Sequence, residues 1–322
     1  MQKSLIALAV LGAFAGAASA QSSVTIYGKL DQAIGKQTGK EDKEVMDNTG
    51  SRLGFRGVED LGGGLKAVFG FEHRFFPDSG TSANANFWQG YSTVGLVTNF
   101  GMINLGRQYT PSFIMIQNQI DPFGGDTVAA LRGTWALHTS GATPAYPGKV
   151  RVSDSIRYDL SVAGFNIGAS IAESAPNNGG VSEDKPFSIA GNYAVGPFWI
   201  GAGYENPAGE EDKVWNIGGR YNFGFATLAL GYSKGTTAAG ADSKGWIVGG
   251  TIPVGAFDIK VGYAANDIDG TGEFKKAGLG AHYNLSKRTK VYADVTRIGG
   301  SATTQAQRDE KTGYDFGIQH NF

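Results

Sequence analysis

VTIYGKLDQAI, residues Val24 to Ile34, switches between two kinds of side chain with a period of two. Val24, Ile26, Leu30 and Ile34 fall on one face, and Thr25, Tyr27, Lys29, Asp31 and Ala33 on the other, as they would in an extended strand. The pattern repeats in the flanking chain. Between Thr49 and Val58, Leu53 and Phe55 oppose Arg52, Gly54 and Arg56. Beyond the Gly62-Gly63-Gly64 turn, Leu65, Ala67, Phe69 and Phe71 oppose Lys66, Glu72 and Arg74. Further segments of this kind include Phe87–Val97, Met102–Arg107, Val150–Leu160 and Tyr314–Phe322. About sixteen can be counted, each near the ~10 residues of a tilted transmembrane strand.

The joints between segments also alternate. Short ones, such as Asn99-Phe100-Gly101 and Gly196-Pro197, take turns with longer polar ones, such as Gly35–Asn48 and Gly299–Thr312. Short turns on one side and long loops on the other are the layout of a membrane barrel with both termini on the short-turn side. In such a barrel the apolar faces meet lipid. The charged faces, carrying Lys29, Asp31, Arg52, Arg56, Lys66, Glu72, Arg74 and Arg157, then line a wet lumen. A soluble sandwich would pack the apolar faces together and leave the charges no equivalent place. Aromatic residues such as Tyr158, Tyr193, Tyr204, Tyr221, Tyr232, Tyr263, Tyr283 and Phe322 close many apolar faces, as interfacial girdles do.

Composition agrees. Fifty of the 322 residues are glycine and none is cysteine, so the fold rests on packing and hydrogen bonds rather than disulfides. The formal net charge is −1, without the basic excess of a nucleic-acid binder. The first twenty residues combine Lys3, an apolar run from Leu5 to Phe14 and the small residues Ala18-Ser19-Ala20. This is the form of an export signal cleaved before Gln21, leaving 21–322 as the barrel.

One stretch breaks the alternation. Tyr109 to Lys149 holds the turn Asp121-Pro122-Phe123-Gly124-Gly125-Asp126 and a helical-looking piece, Thr127 to Leu131. Connections longer than ~12–15 residues are commonly functional or disordered, and this one is too rich in Phe, Ile and Met to be disordered. Inside a barrel it has a lumen to fold into, where Phe113, Ile114, Met115 and Trp135 can pack.

Three stretches resemble Gram-negative general porins, above all the beta-proteobacterial type. They are Ser51-Arg52-Leu53-Gly54-Phe55-Arg56-Gly57 continuing through Glu59-Asp60-Leu61-Gly62-Gly63-Gly64-Leu65-Lys66-Ala67; Leu105-Gly106-Arg107-Gln108-Tyr109 with Asp154-Ser155-Ile156-Arg157-Tyr158-Asp159; and Tyr314 to Phe322 with its terminal phenylalanine. The resemblance spans the chain. It implies an all-β outer-membrane barrel of sixteen antiparallel strands, usually a homotrimer, whose third external loop, here 109–149, narrows the lumen. It implies no catalysis and no cofactor. The partners it implies are lipid and lipopolysaccharide, the assembly machinery that reads the strand ending in Phe322, and the small ions and hydrophilic solutes that pass through. The loop Pro77–Asn86 is a candidate latch onto a neighbouring subunit.

The expected site is an electrostatic filter. Low-dielectric walls focus the field of charged rings across a narrow aqueous path. The wall candidates are Arg52, Arg74 and Arg157, with Lys29, Asp31, Arg56, Lys66 and Glu72 elsewhere in the lumen; the loop candidates are Asp121, Asp126 and Arg132. Arg107 follows the apolar alternates Ile103 and Leu105, so it needs a bulge to turn inward or else sits at the polar rim. Anion-selective relatives commonly carry a basic residue near the position of Gly90, and none occurs here between Arg74 and Arg107. The expectation is therefore weak or mixed ion selectivity. The rival readings are a solute-specific channel, a structural barrel and an outer-membrane enzyme. For the last, His73, His138, His282 and His320 are scattered, and no nucleophile elbow, P-loop or metal-binding spacing is present.

Overall fold

The computed structural model describes residues 22–139, 148–173, 185–207 and 212–322. Residues 1–21, which include the expected export signal, and residues 140–147, 174–184 and 208–211 lie outside them. Sixteen long strands follow in order: β1 Ser23–Lys36, β2 Arg52–Gly62, β3 Leu65–Phe76, β4 Tyr91–Thr98, β5 Gly101–Tyr109, β6 Arg151–Val162, β7 Phe165–Ala172 and β8 Phe187–Val195. The second half comprises β9 Phe198–Asn206, β10 Lys213–Asn222, β11 Thr227–Thr236, β12 Asp242–Val254, β13 Phe257–Ile268, β14 Gly272–Asn284, β15 Thr289–Gly299 and β16 Thr312–Asn321. Each pairs antiparallel with the next. β1 pairs with β2 (Lys29 opposite Arg52) and with β16 (Gly35 opposite Asp315), which closes the barrel. Closure removes the unpaired edges that could not survive in lipid.

The alternation has the expected physical outcome. Val24, Ile26, Leu53, Val94, Ile156 and Phe316 are exposed on the outer face, whereas Asp31, Glu72, Asn216, Asp294 and Asp315 are buried on the inner one. Aromatic rings meet across neighbouring strands at both rims. Phe165 stacks on Tyr193 (4.2 Å) and Phe257 packs on Tyr283 (4.7 Å) near the short turns, while Trp215 packs on Tyr232 (5.5 Å) and Trp246 on Tyr263 (5.3 Å) near the loops.

Two strand starts differ from the alternation. β2 begins at Arg52 rather than Thr49 because Asp47 folds the preceding residues into a turn, its Oδ1 accepting the N–H of Thr49 and Gly50 and its Oδ2 that of Ser51. β4 begins at Tyr91 rather than Phe87, whose ring stacks on His73 at 4.2 Å on the outer face.

The long connection between β5 and β6 runs along the inner wall. Its helical turns lie at Phe113–Gln117, Asn118–Ile120 and Arg132–Ala136. Thr127 to Leu131, which the sequence suggested as helical, is not a helix: Thr127 has φ 69°. The helix starts later because Asp121 caps it from a distance, Oδ2 accepting the N–H of Leu131 (2.7 Å) and Arg132 (2.8 Å). Satisfying the free N–H groups of a first turn is what fixes a helix start.

Candidate functional site

The loop's apolar side packs against the wall on the β8–β14 side. Trp135, Ile116 and Leu131 are fully buried, and burying a side chain of that size contributes about 1.5–3 kcal/mol. Glycines on the inner face make the room. A Cβ on Gly231 would stand 2.8 Å from the Trp135 ring, and one on Gly245 would collide with the Trp135 carbonyl.

Polar ties fix the loop at its ends and tip. The buried carboxylate of Glu205 on β9 accepts the Thr110 hydroxyl (2.9 Å) and the Lys149 N–H (2.6 Å), so one side chain grips both ends. Ser112 Oγ accepts from the Asn216 amide (2.7 Å), and the Pro122 carbonyl from Lys260 Nζ (2.6 Å). Across the lumen, Asp315 Oδ2 accepts the Val128 N–H (2.9 Å) and Lys29 Nζ pairs with Asp126 Oδ2 (3.1 Å).

Between the loop and the opposite wall lies a polar cavity of about 840 Å³. Phe113, Ile114, Asn118, Gly124, Gly125, Asp126 and Arg132 line its loop side. Lys29, Arg52, Glu72, Arg74, Arg107, Tyr109, Lys149 and Arg151 line the other, with Asn48 to Gly50 and the loop residues Ala83 and Asn84. Among the described residues, the charged lining is thus seven basic and two acidic side chains.

Both acids are engaged. Glu72 accepts from Arg74 Nε (3.0 Å) and the Tyr27 hydroxyl (3.1 Å), and Asp126 is held by Lys29. The arginines are held rigidly. Arg74 Nη2 (2.7 Å) and Arg151 Nη2 (2.5 Å) both donate to the Tyr109 hydroxyl, with Arg151 lying 4.2 Å over the Tyr109 ring. Arg52 donates to the carbonyls of Gly50 (3.0 Å) and Thr49 (2.9 Å). Arg132 donates to Asn118 and to the Gly124 carbonyl and lies 4.8 Å over Phe113. Burial lowers the pKa of Arg132, while Asp121 and Asp126 oppose the shift; an arginine starts high enough to stay a cation at neutral pH.

The remaining sequence candidates lie elsewhere. Asp121 is turned into the loop, where it accepts four backbone N–H groups. Arg157 sits beside the cavity and outside its lining. It donates to Asp159 Oδ1 (2.6 Å from Nη2) and to the Tyr109 carbonyl (3.0 Å). Asp31 is buried against the Tyr292 hydroxyl (2.8 Å); Arg56 lies over the Tyr27 ring (5.2 Å), and Lys66 is exposed near the short-turn end.

Arg107 and Arg151 carry part of the lining, beside the point where the register of β5 with β6 slips. The pairing of β5 with β6 shifts between Val152 and Ser155, so that Ser153 and Asp154 (φ 52°) together face Arg107. There the Arg107 guanidinium donates to Ser153 Oγ (3.0 Å) and to the Gln89 carbonyl (3.0 Å), a local departure that a period-two reading cannot foresee. At Gly90 a basic side chain has no room, since even a Cβ would stand 2.5 Å from Glu72 Oε1. His282 is bound to Asp294 (3.0 Å) with Lys290 on its other nitrogen (3.5 Å), so among the described residues this histidine and acid have no hydroxyl or thiol hydrogen-bonded to them.

Comparison with known proteins follows the geometry. The chain is 40% identical over 177 residues to outer membrane porin protein 32 of Delftia acidovorans, covering 52% of this chain and 48% of the relative. It is 35% identical over 199 residues to an outer membrane porin protein of Bordetella pertussis, covering 54% and 49%. Each match therefore spans about half the length of the curated relative. A solved structure, an anion-selective porin from Comamonas acidovorans, superposes with a TM-score of 0.79 at 28% identity, covering 94% of this chain and all of that one. The family description "Gram-negative porin" matches residues 7–303, and the chain therefore belongs to the Gram-negative porin family.

Proposed function

We propose that this outer-membrane barrel is a passive, water-filled channel for small hydrophilic solutes, narrowed by the loop 109–149 and biased toward anions. The observation that carries the bias is the lining: seven basic groups against two acids, both acids already paired. In a narrow path between low-dielectric walls that imbalance concentrates anions and depletes cations. The lack of a cation at Gly90 argues for weak selectivity, but it counts a single strand, and Arg107 and Arg151 on the neighbouring strands and Arg132 on the loop supply the charge. The solved relative at 28% identity is itself an anion-selective porin. Among the described residues, only Tyr109 and Phe113 bring aromatic rings to the cavity, too few to form a track for a particular sugar, which favours general diffusion.

A homotrimer is part of the same reading. Tyr and Trp, which prefer a wet interface at one end, occur on the outward strand positions of β6–β14 but on none of those of β1–β5 and β15. Val24, Ile26, Leu53, Phe69, Val94 and Leu96 there form an exposed apolar face suited to a second subunit, with Trp88 packed over Phe55 and Phe71 at its loop end. The decisive experiment is the reversal potential of single channels in planar bilayers under a potassium chloride gradient. An anion-preferring sign is expected; a zero or cation-preferring value would sink the bias, and absent conductance the channel.

A further inference from the structure

The two aromatic rings of the cavity lining connect two of its cations. The Tyr109 and Phe113 rings are stacked at 5.5 Å with 8° between their planes. Arg132 lies 4.8 Å over Phe113, and Arg151 lies 4.2 Å over Tyr109. The contacts therefore run guanidinium, ring, ring, guanidinium, from the helical turn at Arg132–Ala136 to the first residue of β6. The Tyr109 hydroxyl carries the series on to β3, since it accepts from Arg74 Nη2 as well as from Arg151 Nη2.

Cations gathered in this way repel one another, and more strongly where water is scarce. A carboxylate beside each would relieve the repulsion and would also cancel the charge. This lining does otherwise. Only Lys29 and Arg74 have a carboxylate in ion-pair contact, Asp126 and Glu72; among the described residues Arg52, Arg107, Arg132, Lys149 and Arg151 have none. Arg52 is held by the carbonyls of Thr49 and Gly50, Arg107 by the Gln89 carbonyl and Ser153 Oγ, and Lys149 by the Pro207 carbonyl. The neutral partners of Arg151 are the ring and hydroxyl of Tyr109, and Arg132 adds Asn118 and the Gly124 carbonyl to the Phe113 ring. Aromatic faces attract a guanidinium through their quadrupole and bring no net charge of their own.

We propose that Tyr109 and Phe113 are the positioning residues of the filter: they fix Arg74, Arg132 and Arg151 beside the solute path without neutralising them. The proposal rests on the anion-biased channel described above. It assigns that bias to the placement of the guanidiniums as well as to their number, and the placement to two uncharged side chains.

The test is the chloride-to-potassium permeability ratio, taken from single-channel reversal potentials of the full chain in a potassium chloride gradient. The variants are Tyr109→Phe, Phe113→Leu and the ring-preserving Phe113→Tyr. All three keep every basic and acidic group of the lining, so charge count cannot account for a difference. A unit charge a few ångströms from the path is worth roughly fivefold in ion population, and guanidiniums that swing away lose at least about twofold of it. The ratio should fall at least about twofold in Tyr109→Phe and in Phe113→Leu and stay near the original in Phe113→Tyr. A ratio unchanged in either of the first two overturns the proposal. Tyr109→Phe removes a single oxygen, so it carries the test even where Phe113→Leu impairs assembly. Liposome swelling with neutral sugars separates placement from packing: rings that merely seat the loop would change the sugar rates and leave the ratio alone, which also overturns the proposal. An unaltered channel without anion preference would strike the bias and this proposal together. Variants that keep the preference of an anion-preferring original strike the proposal alone.

Discussion

Glu205 on β9 accepts the hydroxyl hydrogen of Thr110 at 2.9 Å, and through its other oxygen it also holds the far end of the loop at Lys149. The aperture therefore depends on a residue that does not line it. Charge-assisted hydrogen bonds of this kind contribute about 1.5–3 kcal/mol each. Glu205→Ala is expected to free the loop ends without opening the barrel. Single-channel records should show larger and noisier conductance, while the heat-denaturation midpoint in detergent falls; a quiet, unaltered current would contradict the assignment.

Arg151→Ala and Arg157→Ala are predicted to differ although both remove one arginine from β6. A unit charge a few ångströms from an ion's path in water changes its energy by about 1 kcal/mol, roughly fivefold in population. Arg151 borders the cavity and Arg157 is taken up by Asp159. Reversal potentials should move toward neutrality in the first variant and stay close to the original in the second.

Asp126→Asn should act in the opposite sense. It removes one of two acids from the lining and releases Lys29 from its 3.1 Å pair, so anion preference should rise. The gain should shrink as salt is raised from ~0.01 M to ~1 M, where the screening length falls from about 30 Å to about 3 Å. A gain independent of salt would point to a change of bore rather than of charge.

Gly245→Val tests the seat of the loop. No atom fits between Gly245 and the Trp135 backbone, and overpacking of this kind costs about 1–3 kcal/mol. The expected result is a lower denaturation midpoint with altered conductance and the barrel intact by circular dichroism. Gly240→Ala, in an open loop turn with no atom near its Cβ position, serves as the comparison for conductance.

The barrel was legible because its rule is global. Lipid outside and water inside impose the same two-residue period on every strand, and the expected segments Met102–Arg107 and Val150–Leu160 fall on the strands Gly101–Tyr109 and Arg151–Val162. The charged lining was legible only where that period ran unbroken: Arg52, Arg74 and Lys29 could be read from parity. Arg107 could not, because it shares the parity of the outward Ile103 and Leu105 and turns where the register with β6 slips, nor could the inward role of Asp121, whose four hydrogen bonds depend on the path of a loop. Glu205 gave no signal at all, since an acid at the end of a strand looks like any exposed rim residue until its partners are in place.

The two ties across the lumen have a consequence for assembly. Asp126 is held by Lys29 on the first strand and Val128 by Asp315 on the last, and those two strands meet only when the cylinder is sealed. The tip of the loop thus reaches its final seat late in biogenesis, after the ends of the chain have found each other. On the channel reading proposed above, the narrowing is therefore complete only in a sealed cylinder, and any opening of the first strand from the last would release the tip of the loop as well.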